Sequence, residues 1–131
     1  TIILDESVPK IFGLDRVDTS NDIFVMEGPI DSLFIQNSIA VAQSDLRVPQ
    51  YKDKAILVPD NEPRNREIIK QLERAVDEEY RVVIWPDYVR QKDINDMILS
   101  GLDALEIKNI ISKNTFQGLS AKIELQKWKR I

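Results

Sequence analysis

Three short apolar runs constrain this chain most: DIFVM at 22–26, KAILVP at 54–59 and YRVVIWP at 80–86. Each is apolar at consecutive positions, the pattern of a strand buried on both faces. SIAVAQ at 38–43 reads the same way, and residues 2–4 form a further short apolar candidate. Helical signals lie between the runs. Ile30, Leu33, Phe34 and Asn37 come after Pro29 at helical spacing, and Ile68, Ile69, Leu72 and Val76 form one stripe within 64–79. DINDMILSG at 93–101 reads as a short helix closed by Gly101, Asp103 as the cap of a helix over 104–113, and 119–129 as a last helix. Strands buried on both faces need helices on both, so the expected fold is α/β. It has about four strands in a mainly parallel sheet.

A chain of 131 residues fits one domain, and we expect 1–131 to be a single unit. Its start at Thr1 points to a piece of a longer protein. The sequence holds no histidine and no cysteine. A thiolate zinc site, a disulfide and a Ser-His triad are therefore excluded within this segment. Any chemistry here runs on carboxylates, lysines, arginines and backbone groups. The net charge of −4 argues against a broad nucleic-acid-binding face. Lys113, Lys122, Lys127, Lys129 and Arg130 make a local basic tail, read as the solvated face of the last helix. No apolar run approaches the roughly 20 residues of a membrane span, and no membrane partner or secretory leader is expected.

The ends of the strands carry the acids. In open α/β sheets the site lies beyond the carboxyl ends of the strands. The run at 22–26 leads into Glu27, Gly28, Pro29 and Asp31, and that at 54–59 into Asp60 and Glu62. The run at 80–86 leads into Asp87 and then Lys92, Asp93 and Asp96. Hard oxygen donors without His or Cys select Mg²⁺ or Mn²⁺. Each piece also fits a plainer role. Glu27 and Asp31 suit a helix start, PDNEP a solvated turn, and 92–96 a helix cap.

Glu-Gly-x-x-Asp after a buried strand, an acidic pair after a later one, and then Lys-Asp-x-Asn-Asp together resemble the Toprim domain. That domain is shared by bacterial-type primases, type IA and II topoisomerases and certain nucleases. KDINDMI is most similar to the corresponding element of phage primases and primase-helicases, and VPKIFGL at 8–14 sits where those primases carry a lysine-bearing segment. The resemblance covers about residues 8–100, leaving 103–131 as carboxyl-terminal helices. Asp60-Asn61-Glu62 departs from the family's Asp-x-Asp by one longer side chain, and PRN stands where a glycine often comes next.

The resemblance implies a Rossmann-like arrangement of the sheet and the catalytic core of a DNA primase, a nucleotidyltransferase making short RNA primers on single-stranded DNA with Mg²⁺ or Mn²⁺. It implies Glu27 as an acid/base or metal-linked group, with Asp31 supporting the same loop, both as catalytic candidates. The metal set it implies is Glu27, Asp60 and Glu62, with Asp93 or Asp96 as the third acidic site. Lys10 and Lys92 become candidate nucleotide contacts. Implied partners are the template strand, ribonucleotides and, through a longer protein, a replicative helicase, in the cytoplasm of an infected bacterial host. The template-reading zinc module of such primases is missing from this segment, which on its own is expected to be weakly active or inactive. Two other readings use the same acids: a Toprim nuclease or topoisomerase fragment, and a non-catalytic, receiver-like Mg²⁺-binding module.

Overall fold

The computed structural model describes residues 11–130; the strand expected at 2–4 and Lys10 lie outside them. Among the described residues, five strands form one sheet: β1 (Ile23–Met26), β2 (Ser38–Ala40), β3 (Ala55–Val58), β4 (Arg81–Val83) and β5 (Thr115–Phe116). Their order is β2-β1-β3-β4-β5; the first four run parallel and β5 pairs antiparallel with β4. Five α-helices accompany them: α1 (Pro29–Ser32), α2 (Arg66–Asp77), α3 (Ile94–Leu99), α4 (Ala104–Lys113) and α5 (Leu119–Trp128). The three apolar runs are thus adjacent parallel strands, as their composition predicts.

Successive side chains of a strand point to opposite faces, and here both faces are buried. Ile23, Val25, Leu57 and Val82 pack against Ile68, Leu72 and Val76 of α2 and Leu125 and Trp128 of α5. Phe24, Met26, Ile56, Val58 and Val83 pack against Ile94 and Met97 of α3 and Ile107 and Ile111 of α4. Helix ends obey their local chemistry. Asp103 and Glu106 form a reciprocal capping box at α4. Gly101, at φ 112°, ends the α3 segment, with the Leu102 N–H bonded to the Met97 carbonyl. Among the described residues, no helix is long and apolar enough to cross a membrane.

The structure corrects several details. The helix expected over 30–37 is one turn, Pro29–Ser32. The Ser38 hydroxyl donates to the Ser32 and Ile35 carbonyls, and Asn37, at φ 55°, turns the chain into β2. Ile30 and Leu33 are each 60% exposed, so their helical spacing does not mark a core face. β2 stops at Ala40, because Ala42 also adopts positive φ. β5 is an additional edge strand that two residues without a hydrophobic run do not signal. In α5 the buried residues are Ala121, Leu125 and Trp128, while Leu119 and Ile123 face outward. Two lysines of the basic tail pair across to α2, Lys122 with Asp77 and Lys129 with Glu73. Those pairs are largely open to solvent and contribute little.

Candidate metal centre

The carboxyl ends of β1, β3 and β4 lie side by side, so the three loops that leave them meet along one edge of the sheet. After β1, Gly28 leads into Pro29 at the first position of α1, where a missing N–H costs nothing. Asp31 then sits on the only turn of that helix, and it is 7% exposed. One of its carboxylate oxygens accepts the Asn95 N–H of α3 at 2.8 Å. The other lies over Gly28, where a Cβ would stand 2.6 Å from it. Any side chain there would have to displace the Asp31 carboxylate, which folds back across the backbone.

After β3, the Pro59 carbonyl accepts the Trp85 indole N–H at 2.7 Å, tying this turn to the end of β4. Asp60 comes next, half-buried. After β4, the chain loops through 86–92 to Asp93, whose side chain caps α3 by accepting the Asp96 N–H at 2.8 Å. Carboxylate oxygens of Asp31, Asp60 and Asp93 all lie within 4.8 Å of one another. Three strands deliver one acid each.

The electrostatics register the crowding. Burial, then the charges of Glu27, Asp31, Asp93 and Glu62, push the Asp60 carboxyl up to about 7. Asp31 is also raised, by burial first and then by Asp93, Asp96 and Glu27, although the Asn95 N–H opposes the shift. The charges acting most strongly on Asp60 are all negative. An all-oxygen donor set of this kind fits a hard divalent cation.

The other candidates surround this trio. Glu27 lies close enough to act on both Asp31 and Asp60. Asp96 acts on Asp31 from the first turn of α3 but stands outside the three-carboxylate group. Glu62 turns toward Lys92, at 3.8 Å, and accepts from the Asn65 amide, so it too stands outside the trio. Lys92 is thereby placed beside the centre with its side chain 55% exposed.

Asn61 is a positioning residue that sequence reasoning misses. Its amide donates to the Val89 and Gln91 carbonyls, its backbone N–H donates to the Lys92 carbonyl, and its side-chain oxygen accepts the Trp128 indole N–H. It fastens the loop after β4, and the last helix, to the residue next to Asp60. The one available signal is an amide set between two acids in a proline-flanked turn.

No family model matches the chain. Over 126 residues, 93% of its length, it is 44% identical to a DNA primase of Enterobacteria phage T4. The matched part is 36% of that primase, so the chain spans about a third of the relative's length.

Proposed function

We propose that this phage DNA primase-like domain holds Mg²⁺ or Mn²⁺ on Asp31, Asp60 and Asp93 and serves template-directed joining of ribonucleotides into short RNA primers. One observation carries the reading: three carboxylates from three adjacent strand ends converge in a chain similar to a primase segment. The ordered Toprim-like motifs support it, since each converging acid lies within one of them, although Asp31 takes the place beside Asp60 that the motifs give to Glu27 and Glu62.

A cation bound there would lower the pKa of an attacking 3′-hydroxyl and steady the charge on departing pyrophosphate. The chain's own residues prepare the place. Asp31 is fixed by the Asn95 N–H, Asp93 by its capping bond, and the loop bearing Asp93 by Asn61. In this reading Glu27, beside the trio, is the acid/base candidate. Asp96 and Glu62 add negative charge at its rim, and Lys92 meets nucleotide phosphate. Lys10 keeps the same suggested role, outside the described residues. Single-stranded template, ribonucleotides and a replicative helicase are then partners of a longer protein, at work in the cytoplasm of an infected bacterium.

Primer synthesis by a full-length protein carrying this segment tests the proposal. Asp93→Asn keeps a good helix cap while removing a charged ligand, so the melting temperature should barely move. Outer-shell changes at metal sites cost roughly 10- to 100-fold, so loss of a ligand should lower priming by about tenfold or more. Undiminished priming by Asp93→Asn would refute the assignment.

A further inference from the structure

The loop between β4 and α3 carries a second feature, separate from its carboxylate. Val89 is 6% exposed and packs with the core beneath α3 and α4. Its N–H bonds the Pro86 carbonyl at 3.1 Å, and its carbonyl accepts the Asn61 amide at 2.8 Å. The Gln91 and Lys92 carbonyls are held by the same asparagine. On either side of this buried anchor stand Tyr88, 66% exposed, and Arg90, also exposed. Both border a cleft of about 480 Å³ shared with Asn61, Pro63 and Asp87. Tyr88 also borders a second cleft of about 370 Å³, toward Gly101 and Leu102, so the aromatic side chain stands open between two hollows.

A single exposed aromatic residue is ordinary. Here an aromatic and a guanidinium flank one buried anchor, on a fastened loop that leads into the Asp93 carboxylate. Rings offer a stacking face to any base, and arginine meets phosphate with a planar fork. The cleft volume lies within the range of ligand sites. We infer that Tyr88 and Arg90 form a shelf for one nucleotide unit of a single-stranded nucleic acid, its base on the Tyr88 ring and its phosphate on Arg90. The inference rests on the metal-centre reading only for what the shelf serves, which is to hold a strand beside that centre. Asp87 shares the cleft and repels phosphate, so the contact is salt-sensitive and Asp87 limits its strength.

Fluorescence anisotropy of a labelled oligothymidylate of about ten nucleotides, within the span that such grooves cover, tests the shelf on the 131-residue chain in the presence of Mn²⁺. Tyr88→Ala should weaken binding by about tenfold while Tyr88→Phe keeps it, because stacking needs the ring and not the hydroxyl. Arg90→Ala should reduce the slope of log affinity against log salt by about 0.7, the value for one phosphate contact on a single strand. Asp87→Asn should strengthen binding. Mn²⁺ affinity, measured separately by calorimetry, should stay the same in every variant, so failure of the shelf is distinguishable from failure of the metal centre. No binding by the wild-type chain, or unchanged binding by Tyr88→Ala, overturns the inference. So does a Tyr88→Ala defect confined to ribonucleoside triphosphates, which would assign the shelf to the free nucleotide.

Discussion

Trp128→Ala is expected to cost about 3–5 kcal/mol of folding stability, the usual range for emptying a large aromatic site in a core. Trp128 is 2% exposed, in the last turn of α5, and packs with the cluster between α2 and the sheet. Its indole N–H also bonds Asn61 at 2.9 Å. Truncation therefore leaves a void and frees the asparagine that fastens the loop after β4. Trp128→Phe should lose less, keeping most of the apolar volume while giving up a hydrogen bond of about 1 kcal/mol. Deleting 118–131 should be at least as damaging as Trp128→Ala, since Ala121 and Leu125 go with it. Urea or thermal unfolding reads all three. An unchanged melting temperature after deletion would mean that α5 is a free docking arm and not part of the core.

Asp60→Asn should stabilise the metal-free protein at pH 8, and the gain should vanish as the pH falls to about 4. In the fold its carboxyl titrates at about 7, against an ordinary value of 3.8. Between those values the native state binds more protons than the unfolded chain, so native stability falls as pH rises through that window. Ionised Asp60 would then carry a penalty of roughly 4 kcal/mol, from burial first and from repulsion by its acidic neighbours second. Partial exposure and screening reduce that to about 1–3 kcal/mol. Asparagine removes the charge and, with it, the loss. Saturating Mg²⁺ should reverse the ranking, because a ligand that binds only the native state stabilises the wild type by mass action and the variant less. Equal pH profiles for the two proteins, with and without Mg²⁺, would show Asp60 to be an ordinary turn residue.

The parallel sheet was legible because its three central strands are apolar at every position. Only burial on both faces explains runs such as IFVM and AILV. The gathering of acids was legible for the same reason, since parallel neighbours must present their carboxyl ends together. What escaped depends on three-dimensional approach. Asp31 joins the trio because Gly28 lets its carboxylate fold back over the backbone, which spacing alone does not reveal. Glu62, one alternation from Asp60, looks like its partner in sequence, yet its longer side chain goes to Lys92 and Asn65. Asp93 and Asp96 are equivalent in sequence, and the geometry separates them by placing Asp93 in the trio. β5 is fixed by antiparallel edge pairing with β4, and a run of only two residues, Thr115 and Phe116, is too short to mark a strand in sequence. In α5 the buried face is set by α2 and the sheet, which select Ala121, Leu125 and Trp128 over the equally apolar Leu119 and Ile123.

The central claim is that Asp31, Asp60 and Asp93 share one divalent cation. Crystals of the chain soaked in Mn²⁺, with diffraction recorded at the manganese absorption edge, test it directly. An anomalous peak is expected among those three carboxylates, with ligand oxygens at the short distances of about 2.0–2.2 Å that ions of this type require. A peak centred on Glu62 and Lys92 instead, or an empty trio at saturating Mn²⁺, would contradict it.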